Sequence, residues 1–239
     1  MKAIILAAGL GTRLGDLTKA SPKCLVKING RSLLEWQLRA LKKAGCSDIV
    51  LVIGTKGNCW TQHSHKIIKK LHDKILFNFR NTTSQNTFSL HLALNKMEPE
   101  DFLSIDGDVL FSEKVIFDLI QAKHDIAIVS KPAADPLAAG TKVVCDKNNY
   151  VLKMGKKIVP DVFPWNIHSG LFKVRHHAFS FFQNLVSASS LQQDTGIVLN
   201  KACSEKIVYN FNSDGWVNIN TPCDKEKAMH MMTIGKKWH

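Results

Sequence analysis

The chain has 239 residues, of which 45% are hydrophobic, and it carries a formal net charge of +12. A chain of this size buries a full core, so we expect one domain over residues 1–239. The lysines are scattered in short clusters without a basic-aromatic motif, which disfavours nucleic-acid binding and favours anionic small substrates. The six cysteines form no C-x-x-C pair or regular framework, which indicates reduced thiols and a cytoplasmic protein.

The amino-terminal segment combines a short apolar run with a glycine-rich turn. Residues 3–8 are long enough for one buried strand and too short for a membrane span, and the polar residues after them argue against a secretory signal. Gly9 and Gly11 let the backbone turn tightly and present N–H groups to an anion. Arg13 and Lys23 add positive charge on either side of this turn, which suits a polyphosphate. We therefore predict a nucleoside triphosphate site and no membrane association.

Strand and helix patterns alternate through the first half of the chain. Besides the first run, apolar segments predict strands at 49–53, 75–77, 102–105 and 126–129, and helical spacing predicts helices at 32–44 and 85–97. This alternation predicts an α/β fold, a mostly parallel mixed sheet covered by helices on both faces.

The pattern changes from about residue 131, where prolines and glycines interrupt short extended runs. Extended runs at 141–145 and 167–174 precede helices near 176–186 and 194–203. We interpret residues 131–195 as an insertion or antiparallel flap over the carboxyl end of the sheet. Ligands bind at that end in open α/β sheets, so we expect this segment to shape the pocket of an acceptor substrate.

Two carboxylates, Asp106 and Asp108, follow the predicted strand at 102–105. Carboxylate oxygens at the end of a strand are the ligands that Mg²⁺ bridging a triphosphate needs, although a polar strand-to-loop turn has the same composition. The histidine pairs at 63 and 65 and at 176 and 177 lack the helical spacing of a metal site and have no nearby cysteines, which disfavours zinc.

The segments Leu6–Leu14 and Pro22–Leu25 resemble the signature Leu-Ala-Ala-Gly-x-Gly-Thr/Ser-Arg-Leu and Pro-Lys-x-Leu of the nucleotidyltransferase (sugar-phosphate pyrophosphorylase) superfamily. The resemblance implies a Rossmann-like, nucleotide-diphospho-sugar transferase-like fold. It also implies nucleotide contacts from Leu6, Ala7, Ala8, Gly9, Gly11, Thr12, Arg13 and Lys23, with the backbone of Ala7 and Ala8 facing a pyrimidine edge.

Asn86–Leu90 resembles the Asn-x-x-Ser-Leu element of cytidylyltransferases that act on phosphocholine, phosphonates and inositol phosphate. This similarity implies that Gln85, Asn86 and Ser89 read the base or ribose, although Ser89 could instead lie on a helix without contacting the nucleotide. In the same alignment Asp108 matches the metal-binding aspartate, and Asp106 is a further nucleotide contact.

Gly215–Asp224 resembles the element Trp-x-Asp-Ile-Asp-Thr-Pro-Glu-Asp, whose aspartate is the second metal ligand in the superfamily. Both candidate positions are asparagine here, Asn218 and Asn220. Related uridylyltransferases use an asparagine in this place, so the comparison implies Asn220 as the second Mg²⁺ ligand. Asn218 and a purely helix-capping role of the segment remain the alternatives.

The acceptor side is implied by two weaker similarities. Lys153–Lys157 resembles an element whose lysine contacts the acceptor phosphate, which assigns Lys156, although a solvated charge cluster would have the same sequence. Ser169 and Gly170 resemble a strand that lines the acceptor pocket. Trp165, with Asp161 and Phe163, is the local candidate for a cage around a quaternary ammonium, and so few candidates make choline itself a doubtful acceptor.

The resemblance implies a CTP-dependent, Mg²⁺-dependent enzyme of phosphocholine cytidylyltransferase type that moves CMP onto a small phosphorylated acceptor and releases pyrophosphate, as in cell-surface polysaccharide biosynthesis. Arg13, Lys23, Asp108 and Lys156 are the predicted catalytic residues. A sugar-1-phosphate nucleotidyltransferase that uses UTP, GTP or dTTP is the first alternative, and a non-catalytic nucleotide sensor is the second. A homodimer is left open.

Overall fold

The computed structural model describes the chain except for residues 47, 58–59, 72–73, 135–138, 160–164, 206 and 235–239. The strands are β1 (Lys2–Ala7), β2 (Lys27–Ile28), β3 (Arg31–Ser32), β4 (Asp48–Gly54), β5 (Ile75–Asn78), β6 (Phe102–Asp106), β7 (Val109–Phe111), β8 (Ile126–Pro132), β9 (Lys142–Cys145), β10 (Val151–Gly155), β11 (Asn166–Val174), β12 (Val208–Asn212) and β13 (Trp216–Asn218). The helices are α1 (Leu33–Lys43), α2 (Gln62–Leu71), α3 (Asn86–Leu94), α4 (Glu113–Gln121), α5 (Phe179–Ser187), α6 (Thr195–Cys203) and α7 (Pro222–Ile234).

Nine of the described strands form one mixed sheet, in which β10, β9, β11, β6, β1, β4 and β5 follow one another, while β8 pairs with β11 and β12 pairs with β8. β1 pairs in parallel with β4 and β6, β4 with β5, and β8 with β12. β11 is antiparallel to both β6 and β8. The predicted mostly parallel mixed sheet is confirmed.

Helices cover both faces of this sheet, as the packing of alternate side chains of β1 shows. Ala3 and Ile5 pack into a cluster with apolar residues of α1, α2 and α4, whereas Ile4 and Leu6 pack into a second cluster with residues of α3, α5 and α6. Successive side chains of a strand point to opposite faces, so one continuous apolar run serves both clusters. The α/β prediction is therefore confirmed.

Local capping defines the helices that carry the site. Ser32 caps α1, because Glu35 N donates to Ser32 Oγ at 3.2 Å and Ser32 N donates to Glu35 Oε2 at 2.8 Å. Thr221 caps α7 in the same manner, with Asp224 N donating to its Oγ1 at 3.2 Å. A third cluster packs the amino-terminal turn against α7 through Leu14 and other residues, so the turn is fixed against the last helix.

The segment from 131 to 195 differs from a flap in one respect. β11 lies inside the central sheet, and its residues 168–174 are all buried. A short apolar run indicates a strand without indicating its partners, which explains why the sequence pattern could not place it. β9 and β10 extend the sheet beyond β11 in antiparallel pairing.

None of the helices within the described residues combines the length and the apolar character that crossing a bilayer requires.

Candidate active site

The carboxyl ends of β1 and β6 open into one cavity of about 520 Å³. Its wall also includes the turn after β1, the segment from Asn78 to the start of α3, Lys156, Asp194, and the segment between β13 and α7. Most of the predicted site residues line this cavity: Leu6, Ala7, Ala8, Gly9, Gly11, Thr12, Arg13, Lys23, Gln85, Asn86, Ser89, Asp106, Asp108, Lys156 and Asn220. The fold therefore brings together residues that are more than two hundred positions apart in the sequence.

Gly11 shapes the turn at the mouth of the cavity. Its φ of +70° lies in the left-handed region, and a Cβ atom on it would lie 2.9 Å from Cβ of Lys23. A side chain at this position would therefore strain the backbone and push against Lys23. The glycine lets the turn lie directly against the residue that supplies the positive charge.

A cationic centre forms where three distant segments meet. Lys23 Nζ donates to Asp108 Oδ2 at 2.7 Å and to Asn220 Oδ1 at 2.8 Å. Arg13 Nη2 also donates to Asn220 Oδ1, at 2.7 Å. Two cations therefore face one carboxylate and one neutral amide, which leaves an excess of positive charge for an anionic ligand.

The oxygen atoms of this centre suit a hard divalent cation. Asp108 and Asn220 both direct an oxygen at the single ammonium group of Lys23, so these two oxygens converge on one point. Mg²⁺ commonly takes only one or two protein ligands and completes its shell with water and phosphate. In the described parts of the chain no group of three or more His, Cys, Asp or Glu residues could hold a metal ion.

Asn218, the alternative ligand, is placed differently from Asn220. Its Oδ1 is buried without a hydrogen-bond partner among the described residues, and it does not line the cavity. Of the two asparagines, it is therefore Asn220 that lines the cavity.

Asp106 is held at the centre of the cavity wall. Burial, and next the negative charge of Asp108, raise the pKa of Asp106 to about 7, although Asn86 donates to its carboxylate at 3.0 Å. Gln37 on α1 fixes the turn between the two carboxylates, since its Nε2 donates to the carbonyl oxygens of Asp106 at 3.0 Å and of Val109 at 2.8 Å.

The predicted base-reading residues differ in how their side chains are used. Ser89 is 1% exposed and its Oγ accepts a hydrogen bond from Asn78 Nδ2 at 2.9 Å. Asn86 is bonded within the protein at both ends of its amide. Gln85 also lines the cavity, and none of the described residues is a hydrogen-bond partner of its side chain.

On the predicted acceptor side, Lys156 lines the cavity and its Nζ forms an ion pair with Asp194 Oδ2 at 2.8 Å. The prediction did not include Asp194. It is the N-cap residue of α6, in a Ser/Asp/Thr-containing stretch before an apolar helix, which is the sequence signal that marks it.

The other three predicted acceptor contacts do not line the cavity. Ser169 is fully buried and its Oγ donates to the carbonyl oxygen of Val129 at 2.8 Å. Trp165 is 6% exposed, and Lys142 Nζ lies 5.1 Å from the centre of its ring.

Gly170 has a φ of +88°, and a Cβ atom on it would lie 2.6 Å from Asp106 Oδ2. Its position in the fold thus supports Asp106 rather than the acceptor. The geometry departs from the prediction for this strand because β11 is an internal strand, whose side chains enter the core. Asp161 and Phe163 lie outside the described residues.

Gln37 was also missed, although the sequence marks it. Leu33 and Leu41 lie one turn before and after it on the apolar face of α1, and Gln37 itself is 1% exposed. A polar residue on a buried helix face has to bond to something inside the protein, which is the signal that identifies such a residue.

Comparison with known proteins agrees with this architecture. The model of the MobA-like NTP transferase domain matches residues 3–166, and the chain belongs to this family. The chain is 32% identical over 169 residues to the CTP:phosphoglutamine cytidylyltransferase of Campylobacter jejuni, and the alignment covers 66% of each protein. It is 28% identical over 225 residues to a bifunctional sugar-1-phosphate nucleotidylyltransferase/acetyltransferase of Sulfurisphaera tokodaii, covering 93% of this chain and 53% of that protein.

Among solved structures, the CTP:phosphocholine cytidylyltransferase of Streptococcus pneumoniae superposes with a TM-score of 0.80 at 24% identity, covering 97% of this chain and 98% of that one. This similarity shows the shared fold. The chain spans about half to two thirds of the length of the curated relatives it matches.

Proposed function

We propose that the protein is a CTP-dependent nucleotidyltransferase that transfers CMP to the phosphate of a small phosphorylated acceptor. The observation that carries this proposal is the convergence of Arg13 and Lys23 on Asp108 and Asn220 at the end of the glycine turn. A triphosphate placed there meets backbone N–H groups, two cations and a pair of oxygen ligands suited to Mg²⁺.

In the proposed reaction an oxygen of the acceptor phosphate attacks the α-phosphorus of CTP. One phosphorus–oxygen bond forms, the bond to the β-phosphate breaks, and pyrophosphate leaves with the bonding electrons. No proton has to be transferred, so catalysis consists of positioning and charge neutralisation. Arg13 and Lys23 bind the triphosphate oxygens. The Lys156 ammonium group leaves Asp194 and binds the acceptor phosphate.

Asp108 and Asn220 would hold Mg²⁺, which supplies charge neutralisation at the phosphates when it is bound. Lys23 now contacts both of these oxygens and neutralises Asp108 in the free protein. Its long side chain can turn from these oxygens to the triphosphate, which keeps the number of positive charges around the phosphates high.

The preference for CTP and for a small acceptor is supported by the relatives and by the cavity lining. The relative from Campylobacter jejuni uses CTP and phosphoglutamine according to its name. No aromatic side chain of the described residues lines the cavity, so those residues provide no cage for a quaternary ammonium group. We therefore favour a polar phosphorylated alcohol, amine or amino-acid derivative over phosphocholine.

A sugar-1-phosphate nucleotidyltransferase is the second candidate. The relative from Sulfurisphaera tokodaii matches 93% of this chain and its name includes a sugar-1-phosphate activity. The two candidates differ in the base and in the acceptor, and both share the same cationic centre.

The test is pyrophosphate release with Mg²⁺, each of CTP, UTP, ATP, GTP and dTTP in turn, and separate acceptors. The acceptors are phosphocholine, phosphoethanolamine, aminoethylphosphonate, phosphorylated amino-acid derivatives, polyol phosphates and sugar 1-phosphates. Turnover with CTP and a non-sugar acceptor supports the proposal. Turnover with UTP, GTP or dTTP and a sugar 1-phosphate replaces it by the second candidate, and binding of CTP without turnover across the panel identifies a nucleotide sensor. Asp108→Asn serves as the inactive control.

A further inference from the structure

Asn86, the first residue of α3, forms three hydrogen bonds within the protein. Its Nδ2 donates to Asp106 Oδ1 at 3.0 Å and to Thr195 Oγ1 at 3.2 Å. Its Oδ1 accepts from the backbone N–H of Thr195 at 3.0 Å. Both amide hydrogens are therefore used, and only one acceptor position of the side chain is left for a ligand.

These bonds connect three elements behind the cavity wall. Asp106 ends β6 beside Leu6 of β1, Asn86 begins α3, and Thr195 begins α6. Thr195 is only 4% exposed and does not line the cavity. The bond from Thr195 to Asn86, 109 positions away, joins the starts of two helices, and the bond from Asn86 to Asp106 fixes them against the end of a strand.

The other oxygen of Asp106 is confined by the backbone of β11. A Cβ atom on Gly170 would lie 2.6 Å from Asp106 Oδ2, so the carboxylate packs against the bare glycine backbone. One oxygen is thus held by an amide donor and the other is held by packing. Such a group has little rotational freedom at the point where it meets the cavity.

We propose that Asn86 and Thr195 are positioning residues that hold the Asp106 carboxylate between the triphosphate end and the Lys156 end of the cavity, and that Gln85 rather than Asn86 reads the base. This inference rests on the proposed function, since it assigns roles within the same nucleotide site. Gln85 precedes Asn86 by one residue, lines the cavity, and has no side-chain hydrogen bond among the described residues.

The test compares four single variants and one double variant of the full chain. Asn86→Ala removes all three bonds, whereas Thr195→Val keeps the shape and the backbone N–H and removes only the oxygen that accepts from Asn86. Thr195→Ser restores that oxygen and serves as the conservative rescue. Gln85→Ala is the matched cavity variant. Calorimetry gives the Kd of CTP and of UTP with Mg²⁺ present, and pyrophosphate release gives kcat and KM with an acceptor that the wild type uses.

We expect Asn86→Ala to lower kcat by about ten- to a hundredfold, because moving the Asp106 carboxylate, a predicted nucleotide contact, by a fraction of an ångström misaligns the bound triphosphate. Thr195→Val lowers kcat by a smaller factor, Thr195→Ser restores it, and the double variant of Asn86→Ala with Thr195→Val is no slower than Asn86→Ala alone. In all of these variants at Asn86 and Thr195, the ratio of the Kd for UTP to the Kd for CTP stays within about twofold of the wild-type ratio. Gln85→Ala changes this ratio by about tenfold, as expected of a side chain that bonds to the base.

A change of fivefold or more in the Kd ratio on Asn86→Ala, with kcat unaffected by Thr195→Val, makes Asn86 a base-reading residue and overturns the proposal. If the wild type binds another triphosphate better than CTP, the proposed function fails. The ratio is then measured between the two triphosphates bound most tightly, and it still decides the role of Asn86. If no acceptor is turned over, the Kd ratios of Asn86→Ala and Gln85→Ala decide alone.

Discussion

Replacing Asn220 with aspartate tests the cationic centre, because it changes the charge there with little change in shape. Asn220 Oδ1 accepts from Arg13 at 2.7 Å and from Lys23 at 2.8 Å. A carboxylate in the same place turns both contacts into hydrogen bonds between opposite charges. The Asn220→Asp variant then matches two cations with two carboxylates, that of Asp108 and the one introduced by the substitution.

The expected gain in stability comes mainly from the contact with Lys23. Both contacts already have a charged donor, so the substitution adds the attraction between opposite charges, which is about 0.2–1 kcal/mol for an exposed ion pair and larger where the pair is partly shielded from water. The side chain of Lys23 is 12% exposed, whereas the bond from Arg13 is exposed, so solvent screening makes the contribution of the Arg13 bond to stability smaller. We expect the free energy of unfolding without ligand to rise by about 1–2 kcal/mol, which raises Tm by roughly 2–8 °C in a chain of this length.

The same substitution adds a charged ligand for a divalent cation. We expect Mg²⁺ to bind about tenfold more tightly, and metal-free CTP to bind less tightly because the excess positive charge is lost. Calorimetric titration of Mg²⁺ into the complex with a non-hydrolysable CTP analogue measures the first effect, and titration of CTP in the presence of a chelator measures the second. Both effects shrink as the salt concentration rises.

The control variant is Gln62→Glu, which adds the same charge in the first turn of α2, outside the cavity. It should leave Mg²⁺ affinity unchanged. If Asn220→Asp lowers Tm, or leaves Mg²⁺ affinity no higher than in Gln62→Glu, then Asn220 does not hold the metal and the cationic centre is not where the triphosphate is neutralised.

Three further predictions concern the site and the core. Asp108→Asn should lower pyrophosphate release at least about a hundredfold with the fold intact by circular dichroism, and a rate near that of the wild type would remove Asp108 from the metal role. Lys173 is buried and its Nζ donates to two carbonyl oxygens at the end of α4, at 2.6 Å and 3.0 Å. Lys173→Met should therefore lower the free energy of unfolding, measured by urea titration, by about 2–3 kcal/mol. An unchanged urea midpoint would refute a capping role of Lys173. Burial lowers the pKa of His168 from its ordinary 6.5 to about 4. The unfolded chain therefore binds the proton first, and stability should fall by about 3 kcal/mol as the pH drops from 6.5 to 4, a loss that is absent in His168→Gln.

The sequence patterns locate helices and strands well where these depend on interactions between residues close together in the sequence. The strand at 126–129, for example, was predicted three residues shorter than β8, and the helix at 32–44 differs from α1 by one residue at each end. A capping box and a set of leucines at helical spacing are short-range features, so the sequence carries them directly. The helices α2 and α4 were not predicted, although Ile68 of α2 is fully buried.

Features that depend on long-range pairing were harder to predict. The apolar run at 167–174 indicates a strand, but nothing in it indicates that β11 inserts between β6 and β8. This placement decides which side chains reach the cavity, and it directs Ser169 into the core. The motif at Asn86 likewise gives a position near the nucleotide, whereas its partner Thr195 is 109 residues away and became visible only in the fold.

The charges around the cavity link the composition of the chain to the proposed reaction. Among the described residues, three cations and three carboxylates line it: Arg13, Lys23, Lys156, Asp106, Asp108 and Asp194. Burial and the neighbouring charge of Asp108 raise the pKa of Asp106 to about 7, which reduces the negative charge of the cavity near neutral pH. A net charge of +12 over the whole chain attracts any anion, including many that are not substrates. Discrimination must therefore come from the fixed donors and acceptors of the wall, and Gln85 is among the wall side chains whose polar atoms are not already bonded to other described residues.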